Sequence, residues 1–164
     1  MRHRELKDVK MSQNEHAMQG DYEHKLDPKN RVSVPADWRQ MCGGGVLRLL
    51  QSSKFEVETL RLLTEAEYDD MLRTVDEMED WTPAQKKMMK GKLHARCQKV
   101  SVSEQGKLLI PKAWCERPGL EAGESMKMVG RGTYFEMYSL KNYKKMTERE
   151  DEETAKLNAE VDFF

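Results

Sequence analysis

Residues 27 to 38 read Asp-Pro-Lys-Asn-Arg-Val-Ser-Val-Pro-Ala-Asp-Trp, and residues 103 to 114 read Ser-Glu-Gln-Gly-Lys-Leu-Leu-Ile-Pro-Lys-Ala-Trp, 76 positions further on. Each copy is a polar turn, a basic residue, three strand-forming residues, a proline, and a short segment ending in tryptophan. The similarity resumes downstream at an offset of 75, where residues 60 to 68 lie opposite residues 135 to 143. There an apolar strand stops at Thr64 or Ser139, and Tyr68 or Tyr143 follows at helical spacing. Two matching blocks in the same order describe a duplicated chain.

The residues give each copy a physical logic. Asn30 and Gly106 occupy the same turn position, and these residue types tolerate positive φ best. The turn then presents Arg31 or Lys107 at the tip of a hairpin. Val32-Ser33-Val34 and Leu108-Leu109-Ile110 suit strands. Pro35 and Pro111 cannot donate to a ladder, so each strand ends or reaches an edge there. Trp38 and Trp114 fall on a helical turn that folds back over the hairpin, and the breaks at Gly43-Gly44-Gly45 and Pro118-Gly119 lead to further strands.

Between the copies, two helices are expected at 65–79 and 82–95. Thr64 and Glu67 have capping-box spacing, and Tyr68, Met71, Leu72, Val75 and Met78 form one apolar stripe. Thr82-Pro83-Ala84-Gln85 starts the second helix, with Met88, Met89 and Leu93 as its apolar side, read as core packing. Each copy has too few strands to close a core alone. The expectation is therefore an α+β fold in which residues 20–81 and 82–146 interleave as one barrel. Residues 1–19 and 147–164 read as tails: the first lacks periodicity, and 146–164 carries a net charge of −5, as a solvated helix or frayed end would.

Catalysis finds little footing. There is no glycine-rich phosphate loop and no nucleophile elbow, and His24 and His94 have no evident partner. Cys42, Cys97 and Cys115 are widely spaced with no histidine at ligand distance, which suits buried or incidental thiols. The expectation is no enzyme, no metal, no cofactor and no small-molecule substrate. No apolar run approaches a membrane span, and the basic start leads into no hydrophobic stretch, so a cytoplasmic protein is expected.

Charge distribution says more than the overall net charge of −1. Residues 84 to 117 hold nine bases against Glu104 and Glu116, a net of +7, and Lys25, Lys29, Arg31 and Arg39 surround the first hairpin. Positive charge thus gathers at both copies, as a phosphate-contacting surface requires.

At these hairpins the chain resembles the MraZ family, relatives of the AbrB-type DNA-binding barrels. Residues 26–35 are similar to its D-x-K-G-R-x-x-x-P signature, residues 105–111 to its looser second copy, and Val129-Gly130 with Phe135-Glu136-Met137-Tyr138 and Tyr143 to its ending. Asn30 stands where the signature has glycine, and Ser103 and Lys107 stand for Asp and Arg in the second copy. The resemblance covers about residues 20–146. It implies a duplicated swapped-hairpin (AbrB-like) barrel with intervening helices. It also implies a ring-forming homo-oligomer that binds double-stranded DNA at direct repeats, represses an operon of division and cell-wall genes, and associates with the nucleoid. Carried onto this sequence, the DNA-binding residues are Lys29, Arg31 and Lys107. Lys107 can neutralise phosphate but lacks the planar fork that reads guanine. The rival reading is a scaffold or partner-binding protein on the same barrel.

Overall fold

The structure, a computed structural model, describes residues 17–42 and 46–164. The Gly43-Gly44-Gly45 break and all but the end of the N-terminal tail lie outside the described residues. The fold is α+β. In chain order its elements are β1 (Asp21–Lys25), β2 (Arg31–Ser33), α1 (Ala36–Cys42), β3 (Leu47–Lys54), β4 (Val57–Thr64), α2 (Glu65–Asp76), α3 (Pro83–Ala95), β5 (Cys97–Val100), β6 (Lys107–Leu109), α4 (Lys112–Cys115), β7 (Ser125–Gly130), β8 (Tyr134–Ser139) and α5 (Leu140–Val161).

Six strands form one antiparallel sheet in the order β1-β7-β8-β4-β3-β5, and β2 and β6 form a separate two-stranded ribbon. Outside the β3–β4 and β7–β8 hairpins, every pairing joins a strand before residue 82 to one after it: β1 with β7, β2 with β6, β3 with β5, β4 with β8. The sheet is open, with β1 and β5 at its edges, and among the described residues no ladder closes it into the expected barrel. β1 lies against the β7–β8 hairpin and β5 against the β3–β4 hairpin, and no pairing among the described residues links the two. The ribbon covers one face instead. Val32, Val34, Leu108 and Ile110 are fully buried and share one core with Trp38, Leu49, Leu60, Phe135 and Met137. Burying each such side chain contributes roughly 1.5–3 kcal/mol, so the ribbon is held to the sheet by its inward face.

The two turns leading into the ribbon make the same hydrogen bonds. Asp27 N–H donates to the Arg31 carbonyl and Ser103 N–H to the Lys107 carbonyl, both at 2.9 Å. Across the ribbon, Val34 N–H donates to the Gly106 carbonyl and Ile110 N–H to the Asn30 carbonyl, at 2.9 and 2.8 Å. Asn30 and Gly106 both take positive φ, 61° and 77°. The strands stop before Pro35 and Pro111, and Trp38 and Trp114 each close a turn onto the preceding proline's carbonyl.

The helices start where their caps are. Thr64 accepts from Glu67 N–H, and Thr82 with Gln85 completes a capping box ahead of Pro83. Tyr68 packs with Leu50 and Leu63, flanked by Met71, Leu72 and Leu93. The expected core role of Met88 and Met89 is corrected: they are 72% and 48% exposed. The reason is that α3 buries none of its residues, and of its apolar side chains only Leu93 packs against the core cluster around Tyr68. The C-terminal segment is the far part of α5, and it is less free than a frayed end. Met146 is buried with Val57 and Tyr138, and Glu150 bonds Arg131 at 2.9 Å and Lys54 at 3.0 Å. Arg131 also holds the fully buried Glu136 at 2.7 Å, with Arg61 on its other side at 3.4 Å. No described helix is long and apolar enough to cross a membrane.

Candidate nucleic-acid interface

Alternation along the ribbon decides what faces outward. The register is Arg31 opposite Leu109, Val32 opposite Leu108, and Ser33 opposite Lys107. Strand side chains alternate between faces. Because Val32 and Leu108 point into the core with no exposure, Arg31, Ser33, Lys107 and Leu109 share the outer face. Sequence reasoning named Arg31 and Lys107, and the structure brings them together on one face, diagonal to each other across two strands. Lys29 is exposed in the turn just before β2.

The two basic residues are held differently. Asp27 accepts from the backbone N–H groups of Lys29 and Arg31 and from the Arg31 Nε, each at 2.9 Å. The Arg31 amide, with its guanidinium and the Lys29 amide behind it, holds the Asp27 carboxyl below its usual range. One edge of the guanidinium is thereby fixed while its side chain stays 45% exposed. Lys107 Nζ instead donates to Ser33 Oγ at 2.6 Å, across the ribbon, and is partly buried. So the outer face has an Arg–Leu end and a Lys–Ser end.

Three contributors had no individual role in the sequence reading, Arg39 counting there only toward the positive charge around the first hairpin. Asp27 stood in the hairpin motif without a role, although an acid two residues before Lys29 and four before Arg31 has the spacing to cap both amides. Arg39 lies across the second turn: its Nε donates to the Val34 carbonyl at 2.9 Å, and its guanidinium fills the space a Cβ on Gly106 would need, 2.2 Å away. Gly106 is thus favoured by φ and by close approach at once. Leu109 is the third, an apolar side chain 57% exposed amid basic residues.

The basic stretch from 84 to 117 divides in space. On α3, Lys86 and Lys90 bind the Asp76 carbonyl and carboxylate, each at 2.7 Å, fastening α3 to α2. Those lysines serve the helix pair. His94 Nδ1 meets the Tyr68 hydroxyl, which accounts for its place in the fold. Burial raises the Cys42 and Cys97 thiols to about 11, and burial also raises Cys115, so the thiol form is favoured at all three. Among the described residues no group of three or more His, Cys, Asp or Glu could hold a metal ion.

No family model matches the chain. Curated relatives do. It is 25% identical over 146 residues to the transcriptional regulator MraZ of Mycoplasmopsis pulmonis, covering 84% of this chain and 88% of that one. The MraZ of Leuconostoc mesenteroides is 27% identical over 132 residues, 78% of this chain and 85% of its own, and that of Rickettsia rickettsii is 26% identical over 128, 76% and 82%. The relatives come from diverse bacteria and align with most of the chain, so the resemblance found at the hairpins extends well beyond them.

Proposed function

We propose that this chain, a relative of the MraZ regulators over about four fifths of its length, is itself a transcriptional regulator that binds double-stranded DNA through the outer face of its β2–β6 ribbon. The observation that carries the reading is that face: Arg31 and Lys107 converge on it with Lys29 beside them, on a two-stranded antiparallel ribbon. Such a ribbon is one of the elements a DNA major groove admits. Arg31, fixed along one edge by Asp27, has the remaining N–H groups of a planar fork for a guanine edge or a phosphate. Lys107 neutralises phosphate as a point charge.

The topology supports reading residues 20–81 and 82–146 as two copies of one swapped hairpin unit, folding together and not as separable domains. Apart from its own hairpin, each takes its strand partners from the other. One ribbon offers few phosphate contacts, so a single chain binds weakly. A ring-like homo-oligomer that sets several ribbons against direct repeats gains affinity through effective concentration. The target in this reading is an operon of division and cell-wall genes, bound and repressed by a cytoplasmic, nucleoid-associated protein. The chain acts without a cofactor and is not an enzyme.

A gel shift with the DNA upstream of the chain's own gene tests it. A retarded complex on that DNA, lost on a scrambled duplex at equal salt, is the expected result. Equal or absent binding to both duplexes refutes it and favours the partner-binding scaffold.

A further inference from the structure

We propose that Leu109 is a base-reading residue that contacts the C5 methyl of a thymine beside the base or phosphate engaged by Arg31. This rests on the ribbon being the DNA-binding face. The strand is held in register by the buried Val32–Leu108 pair, so Leu109 is fixed outward, directly opposite Arg31. It is the one apolar side chain on a face otherwise made of Arg31, Ser33 and Lys107. Among the described residues, the remaining exposed large hydrophobics belong to α3, α5, the residues after α5, and Val46 just before β3. Within a major groove the thymine methyl is the apolar group on display, so an exposed leucine carried in beside an arginine meets that chemistry.

The other end of the ribbon does not repeat it. The residue 76 positions before Leu109 is Ser33, and Ser33 is occupied by the Lys107 ammonium at 2.6 Å. One end therefore offers a planar fork next to an apolar surface, and the other offers an ammonium already hydrogen-bonded to a hydroxyl. A ribbon whose ends differ in this way distinguishes the two directions of a duplex. Each ribbon reads a non-palindromic element with its thymine on the Arg31 side.

The probe is a pool of duplexes with a randomised centre, selected on the full-length protein. Every thymine of the winning duplex is then replaced singly by deoxyuridine, which removes the methyl and leaves pairing intact. At one thymine per ribbon the substitution weakens wild-type binding about fourfold, the value of burying one methyl-sized group. Leu109→Ser installs the residue found at the equivalent site of the first copy. That variant keeps its melting temperature, loses a similar factor on the thymine duplex, and is indifferent to deoxyuridine. Equal wild-type binding to all the deoxyuridine duplexes overturns the Leu109 assignment, as does a deoxyuridine effect that persists in Leu109→Ser. In those cases an enriched duplex that Arg31→Ala binds poorly leaves the ribbon reading standing. A pool that yields no salt-sensitive binding at all overturns both.

Discussion

Gly106→Ala gives a worked test of the second turn. Gly106 sits at φ 77°, where a Cβ meets the carbonyl oxygen and costs roughly 1–2 kcal/mol. The new methyl also falls 2.2 Å from the Arg39 Cζ. Since that atom is at the end of a flexible side chain, Arg39 swings away and gives up its 2.9 Å bond to the Val34 carbonyl, a loss of about 1 kcal/mol. The total is about 2–3 kcal/mol, or roughly 4–12 °C in melting temperature for a chain of this size. In an Arg39→Ala background the second contribution is already gone, so the same glycine substitution costs only about 1–2 kcal/mol. Urea denaturation of the four proteins in the cycle measures both. An equal cost in the two backgrounds would refute the Arg39 contact, and a cost near zero in both would refute the turn geometry itself.

Glu136→Ala removes the buried carboxylate between Arg61 and Arg131 and leaves two guanidinium groups facing each other. It is expected to cost about 3 kcal/mol in urea denaturation, the low end for a broken buried pair because both arginines keep some solvent. Glu150 is expected to shape the acid limb of the stability profile. Burial works against its charge, but hydrogen bonds from Arg131 and Lys54 outweigh that and hold its pKa below the ordinary 4.5. A depressed folded pKa means that stabilisation is complete above about pH 4.5 and is lost as pH falls through the folded value. Melting followed from neutral to acid pH is expected to decline less steeply in Glu150→Gln, and an unchanged slope contradicts the assignment.

The hairpins and helix starts could be read from sequence because their signals are local. Asn30 and Gly106 specify a left-handed turn residue, Pro35 and Pro111 end strands, and Thr82-Pro83 with Gln85 starts a helix within four residues. The sheet order could not be read this way. β1 and β5 are only five and four residues long, with too short a pattern to mark which hairpin each would join, and their pairing is a long-range choice. Met88 and Met89 have the right spacing for a core face, yet periodicity does not say whether a second surface comes to cover it. Glu136 sits at full burial in the middle of β8, legible only once Arg61 and Arg131 are placed around it. At the ribbon, Arg31 and Lys107 were found through the repeat. Leu109 was hidden because an apolar residue in a strand is ordinarily read as core, and only the register shows that it faces out.

The most direct test of the ribbon as a DNA-binding face is equilibrium binding across a salt series, on the enriched duplex and on random DNA. It compares the wild-type chain with the Arg31→Ala, Lys107→Ala double variant. Neither residue contributes to the core, so the variant is expected to melt like the parent. With Arg31 on a base and Lys107 on a phosphate, the double variant loses its preference for the enriched duplex, and its log-affinity falls less steeply with log salt, by about one phosphate contact per bound ribbon. A double variant that keeps both the wild-type affinity and the wild-type salt slope contradicts the account and removes DNA binding from this face.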